Sequence, residues 1–200
     1  MGTAQKIFYF HVPMAWICLL FAVVCGVASG IQISKRSPGA RGTATAAGEM
    51  VVLSGICVLI SGPLWGMRSW GTPWTGDARQ TATALLWLVF VAYVLIKRFG
   101  PAHGDRLAAA LAVFGAVNVP VIYYAVRIWK TTHPSTAVTG SLPNSMRITL
   151  YPCLVVLLLV AIAVVMIRSR QERLSQQLDE AWIDLDACLA QRKQVAAEKR

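Results

Sequence analysis

The sequence predicts an all-α integral membrane protein with about five transmembrane helices and a cytoplasmic C-terminal helical tail. Of its 200 residues, 56% are hydrophobic and only 14% are charged, whereas soluble domains carry about 25% charged residues. Residues 1–167 hold twelve Lys or Arg but three acids, whereas residues 168–200 hold seven bases and six acids. We therefore expect a membrane domain, residues 1–168, followed by an amphipathic helical tail, residues 169–200.

Five apolar segments are long enough to cross a bilayer core, which takes about 17–25 helical residues. These segments are residues 7–33, 46–64, 80–96, 107–126 and 148–167. Because lipid offers no hydrogen bonds, backbone polar groups must be satisfied within each segment, so we expect five helices. The tail has apolar or small residues at 174, 178, 181, 185 and 188. This short heptad pattern indicates a helix that either pairs with a partner or extends into solvent.

The distribution of Lys and Arg predicts the orientation, because positively charged loops stay on the cytoplasmic side. The loops after the first and third segments and the tail together hold thirteen bases, against six on the other side. We therefore expect an outside N-terminus and a cytoplasmic C-terminus. His11, the stretch from Trp65 to Arg79, and His133 would then lie on the outer side, whereas His103 would lie on the cytoplasmic side and is assigned no role.

Composition and motifs argue against several classes of protein. The net charge is +10, but the bases stand at the ends of apolar runs and form no basic face or groove-reading motif for nucleic acid. The five cysteines contain no C-x-x-C pair, so neither a redox motif nor covalent haem attachment is indicated. The sequence also lacks a nucleophile–base pair and a Walker motif, so we expect no enzyme, and any ATP would be used by a partner.

Residues 62–79 form the most distinctive pattern, and we expect them to be a loop because glycines and prolines interrupt it. Trp65, Trp70 and Trp74 fall within ten residues. Such rings stack on a flat apolar macrocycle, glycines let the backbone approach it, and arginine binds its carboxylates. On the residues alone, a flat ligand and an interfacial aromatic belt remain equally good interpretations.

His11 and His133 favour the flat ligand, because both are expected at the membrane edge that carries the tryptophans. An ionisable residue at such a position is a functional candidate. Two neutral imidazoles on opposite faces of a porphyrin would make its iron six-coordinate.

Six short strings then occur in order along the chain. They are His11-Val12-Pro13-x-Ala15, Gly62-Pro63-Leu64-Trp65-Gly66, Trp70-Gly71-Thr72, Asp77-Ala78-Arg79, Asn118-Val119-Pro120 with Tyr123, and Trp129-Lys130-Thr131-x-His133. Together they resemble the haem exporter protein C (CcmC) family of cytochrome c maturation, whose members carry a tryptophan-rich WWD domain. The resemblance covers about residues 5–168.

The resemblance implies a multi-pass protein of the bacterial inner membrane that binds b-type haem non-covalently on its outer face. The haem would pass to a CcmE-like chaperone, with a CcmD-like helper and CcmA/CcmB-like ABC transporter subunits. His11 and His133 would be the axial iron ligands. The other haem-binding residues implied are Trp65, Gly66, Trp70, Gly71, Trp74, Asp77 and Arg79, with Lys6 as the basic residue before the first histidine.

The sequence departs from the family pattern in two respects. The family usually has six membrane helices, so a leading helix would be absent or lost through a misplaced start. Two expected tryptophans are also missing between Trp70 and Asp77, which predicts weaker haem binding or a site completed by a partner. The alternatives are a haem lyase-like subunit of cytochrome c assembly, and a small transporter or structural subunit that binds no haem.

Overall fold

The computed structural model describes residues 5–35, 37–101, 104–129, 133 and 142–198. These residues contain five helices. They are α1 (Gln5–Lys35), α2 (Pro38–Trp70), α3 (Ala78–Phe99), α4 (Gly104–Ile128) and α5 (Asn144–Glu198). Each is long and apolar enough to cross a membrane, which confirms the predicted all-α membrane fold. His103, Lys130 and Thr131 lie outside the described residues.

α2 is longer than the sequence predicts, because it continues through Gly62 and Pro63 to Trp70. The expectation of a loop over residues 62–79 is therefore wrong for residues 62–70, which belong to α2, and for residues 78–79, which begin α3. Residues 71–77 connect the two helices. An apolar environment favours the helix, since it keeps backbone hydrogen bonds within the segment, and Pro63 removes only one donor. α2 ends at Gly71, whose φ of 74° is the left-handed conformation typical of a helix C-cap.

α5 runs without a break through the predicted domain boundary at residue 168. Its 55 residues give a helix of about 80 Å, whereas a bilayer core is about 30 Å thick. Side chains 177–197 are all exposed. The predicted C-terminal helix is thus present as a direct extension of the fifth membrane helix.

The bundle is organised around α1 and α2, which pack along each other and both contact α5. α4 packs on α1 and on α3, and α3 also contacts α2. Small residues permit this close packing: an added Cβ on Gly26 would lie 2.4 Å from Ala116 Cβ, and one on Gly48 would lie 2.3 Å from the Tyr93 ring. Close backbone approach of this kind is how helices associate in lipid, where apolar side chains gain little by leaving the solvent.

An ionic cluster joins α2, α3 and α5 at one end of the bundle. Glu49 accepts hydrogen bonds from Arg168 at 2.7 and 3.1 Å and from Arg98 at 3.2 Å. Nearby, Asp105 pairs with Arg41 and Lys97. Glu49 lies in the first half of α2, so this cluster is at the opposite end of that helix from Trp65 and Trp70.

Candidate functional site

A cavity of about 190 Å³ lies between the first half of α1 and the second half of α2. The start of α3, His133 and single residues of α4 and α5 complete its walls. We call it the histidine cavity. Its lining residues are Phe8, His11, Val12, Ala15, Trp16, Cys18, Leu19, Val58, Leu59, Gly62, Pro63, Trp65, Trp74, Arg79, Gln80, Thr83, Ile122, His133 and Leu150.

His11 is held against α2 by a hydrogen bond and by close packing. Its Nδ1 atom lies 2.9 Å from the hydroxyl oxygen of Ser61. Gly62 follows directly, and a Cβ added there would be 3.1 Å from Cε1 of the imidazole. The ring therefore occupies space that any larger residue at position 62 would reduce.

His133 comes from the connection between α4 and α5 and reaches the same cavity. Its Nδ1 lies 3.3 Å from Oδ2 of Asp77, and the Trp70 ring packs edge-on against the imidazole at a centroid distance of 5.4 Å. Burial lowers the pKa of His133 below its usual 6.5, although the hydrogen bond and charge of Asp77 act in the opposite direction. The imidazole is therefore neutral at pH 7, which is the form that binds a metal.

The seven-residue connection from Gly71 to Asp77 is ordered by side-chain hydrogen bonds. Asp77 caps α3, because its Oδ1 accepts from the Gln80 amide at 2.9 Å. Gln80 Oε1 in turn accepts from the amide and hydroxyl of Thr75 at 3.0 and 2.8 Å. Gly76 has a φ of 69°, a conformation that glycine adopts without strain. These contacts bring Trp74 to the cavity and the Asp77 carboxylate to His133.

The three tryptophans do not take equivalent positions. Trp65 and Trp74 line the cavity. Trp70 instead packs edge-on against Trp65, at a centroid distance of 5.0 Å, and also contacts His133. Gly66 permits the connection to fold back onto α2, since a Cβ there would lie 3.1 Å from the Thr72 carbonyl oxygen. Trp70 and Gly66 thus support the cavity from behind its wall.

The two basic residues that the resemblance implies, Arg79 and Lys6, also take different positions relative to the cavity. Arg79 lines the cavity, and in the part of the chain that the structure describes it forms no salt bridge. Its guanidinium can therefore accept an anionic group of a ligand. Lys6 is exposed at the start of α1 and does not line the cavity. Arg127 lies over the Tyr124 ring at 5.5 Å, outside the cavity.

Several residues of the site are not indicated by the sequence patterns. Ser61 binds His11, and the cavity walls also include Phe8, Trp16, Gln80 and Thr83. A helical spacing carried part of this information for α1, because Phe8 lies three residues before His11 and residues three or four apart share a helix face. Ser61 lies one turn before Trp65 on α2, but this spacing gives no sign of its hydrogen bond to His11.

The site offers two imidazoles, aromatic rings and the Arg79 guanidinium within mostly apolar walls. Among the described residues no three His, Cys, Asp or Glu side chains converge as a site for a bare metal ion, whereas protein zinc sites use three or four ligands. Two histidines suit a metal whose equatorial positions are already occupied by a macrocycle, because only its axial positions then need protein ligands.

Comparison with known proteins identifies a family for this chain. The family model described as Heme exporter protein C matches residues 1–184. Heme exporter protein C of Bradyrhizobium diazoefficiens is 34% identical over 139 residues, which are 68% of this chain and 53% of that protein. The Escherichia coli K12 protein of the same name is 29% identical over 186 residues, covering 91% and 76% of the two chains. The Haemophilus influenzae protein is 28% identical over 192 residues, with the same coverage of 91% and 76%. The matched region thus spans about half the length of the first of these relatives.

Proposed function

The chain belongs to the haem exporter protein C family, and on this premise we propose that it binds haem non-covalently in the histidine cavity and hands it on for cytochrome c maturation. In this role it is a haem-handling membrane protein with no catalytic step of its own. Its cavity faces outward from the bacterial inner membrane, and its α5 extension is cytoplasmic.

The convergence of His11 and His133 on one cavity is the observation that supports haem binding most strongly. The porphyrin supplies four equatorial nitrogens, so its iron takes one axial ligand from each face. Both imidazoles approach acceptor groups through Nδ1, namely the Ser61 hydroxyl and the Asp77 carboxylate. A metal-binding histidine commonly uses its second nitrogen in this manner.

The size of the cavity supports a haem that is held only in part. Its volume of about 190 Å³ is below the roughly 300–1,000 Å³ of pockets that enclose drug-sized ligands. Part of the macrocycle would therefore project beyond the walls, near Trp74, whose exposed fraction is 44%. Incomplete enclosure suits a protein that must release its cargo, and it agrees with the two tryptophans missing from the connection.

The remaining groups have complementary roles in this proposal. The Trp65 and Trp74 rings pack on the macrocycle, and Arg79 binds a propionate. Trp70, Gly66, Gly71 and Asp77 keep the connection and His133 in position. A CcmE-like chaperone receives the haem, with a CcmD-like helper and CcmA/CcmB-like ABC transporter subunits as further partners. ATP hydrolysis belongs to those partners.

Titration of the purified full-length protein with hemin tests the proposal. We expect a Soret band that saturates at one haem per chain, and its loss in the double variant His11→Ala/His133→Ala at unchanged protein abundance. His103→Ala is the matched control, since it removes a histidine that is expected on the cytoplasmic side and is assigned no role, and its titration should equal that of the wild type. A wild-type protein that binds no hemin would support a transporter or structural subunit instead.

A further inference from the structure

Ser61 on α2 is buried beside His11, and its hydroxyl has two neighbours. Ser61 Oγ lies 2.6 Å from the Cys57 carbonyl oxygen and 2.9 Å from His11 Nδ1. A carbonyl oxygen can only accept, so the single hydroxyl hydrogen of Ser61 must point to Cys57. Ser61 Oγ is then the acceptor toward the histidine, and Nδ1 of His11 must carry the ring proton.

This assignment leaves Nε2 as the lone-pair nitrogen of His11. Nε2 has no hydrogen-bond partner within the described ranges of the chain. The ring packs closely against the neighbouring Gly62, since a Cβ there would lie 3.1 Å from Cε1. This close contact limits rotation of the ring. Tautomer and ring position are thus set together by consecutive residues of α2.

The hydrogen-bond partner of His133 is charged, whereas that of His11 is neutral. Asp77 is a carboxylate, which accepts from an imidazole N–H more strongly than a neutral hydroxyl does. An acceptor on the far nitrogen raises the basicity of a histidine ligand, and a charged acceptor raises it more. The two histidines of the cavity therefore differ as donors to iron.

We propose that Ser61 is the positioning residue of His11: it fixes the Nδ1–H tautomer, and as a neutral acceptor it makes His11 the weaker of two unequal axial ligands. This inference rests on the proposed haem binding and adds an order to release. The bond from iron to His11 would break first, and His133 would remain bound to the iron until the haem leaves the cavity.

Replacement of Ser61 tests the positioning role. In Ser61→Ala the His11 Nδ1–H loses its acceptor, so we expect a larger five-coordinate, high-spin fraction in the ferric spectrum and about 10- to 100-fold weaker hemin binding. Ser61→Thr keeps the hydroxyl and should restore the wild-type spectrum. If Ser61→Ala is poorly produced, Ser61→Cys, which fits the same space with a weak acceptor, should show the same high-spin increase.

Ser54 provides a matched control. It lies two turns earlier on the same helix face, its hydroxyl makes the same 2.6 Å bond to the carbonyl four residues before it, and it does not line the cavity. Ser54→Ala should leave the spectrum unchanged. If Ser61→Ala and Ser61→Cys both keep the wild-type spectrum, or if Ser54→Ala changes it as much, the positioning role is wrong.

The inequality of the ligands has its own measurement. His11→Ala retains the stronger ligand and His133→Ala the weaker one, so hemin should dissociate several-fold faster from His133→Ala into excess apomyoglobin. Equal or reversed rates would overturn the order of release. A wild-type chain without hemin binding would instead contradict the proposed function itself, so the two failures are distinguishable.

Discussion

At the scale of single residues, the site depends on how two imidazole rings are held before a ligand arrives. His11 is fixed by Ser61 and Gly62 on one helix. His133 is fixed by Asp77 and Trp70. Because these neighbours already orient the rings, little reorganisation is needed when iron binds, and preorganised ligands bind more tightly.

Acidification should affect the site through His133. Burial lowers its pKa below 6.5, so in the unfolded chain this group takes up a proton at a higher pH than in the folded protein. Its contribution to folding stability is therefore constant above about pH 6.5 and decreases as the pH falls from there toward the folded pKa. NMR titration of the His133 ring in the haem-free protein should give a midpoint below 6.5, and a midpoint at or above 6.5 would contradict this.

The three tryptophans provide a second test at this scale. Trp74→Ala removes a ring from the cavity wall and should lower haem retention several-fold, since an aromatic contact contributes about 1 kcal/mol beyond its buried area. Trp70→Ala removes the ring that supports His133, so it should also increase the high-spin fraction. Both variants should keep wild-type abundance. A fall in abundance that matches the fall in bound haem would indicate that the rings serve only as an aromatic belt.

At the scale of elements, the sequence predicts the helices well and their ends poorly. The five apolar segments were evident because lipid imposes one hydrogen-bonding solution on each of them. The end of α2 was not evident, since Gly62 and Pro63 normally disfavour a helix and the apolar environment overrides them here. His11 and His133 could be assigned to one edge from topology, whereas the Ser61 and Asp77 contacts depend on side-chain geometry that no spacing contains.

The exposed end of α5 should be dispensable for haem binding. Ser169 and Arg173 contact α2 near Gly42 and Thr43, whereas residues 177–197 are exposed. Truncation after Gln177 should therefore leave the hemin affinity and spectrum unchanged, while truncation after Ile167 also removes Arg168 from Glu49 and should lower protein abundance. A loss of hemin binding on the shorter deletion would show that the extension contributes to the site.

At the scale of the whole molecule, the bundle separates its polar chemistry into two ends. The ionic cluster around Glu49 lies at one end of α2, and the histidine cavity lies at the other. Opposite ends of a membrane bundle face different compartments, so under the proposed function the orientation decides on which side of the membrane haem would be bound. The excess of Lys and Arg on the tail side predicts that the cavity faces outward.

Reporter fusions test this orientation. Fusions at Ser37, at Gly71 and after Lys199 should report the inside, the outside and the inside, respectively. Ser37 and Gly71 flank α2 at its two ends. If α2 crosses the membrane, the two fusions must report opposite sides, so they serve as internal controls. An outside signal after Lys199 would reverse the bundle and put the cavity on the cytoplasmic side.

The ferric haem spectrum of the single histidine variants tests the central claim most directly. If His11 and His133 hold the iron from opposite faces, the wild-type protein gives a six-coordinate, low-spin spectrum. His11→Ala and His133→Ala each convert it to a five-coordinate, high-spin spectrum, since one neutral imidazole remains in each variant. A wild-type low-spin spectrum that persists in either variant would show that the replaced histidine is not an axial ligand and would contradict the proposed two-histidine site.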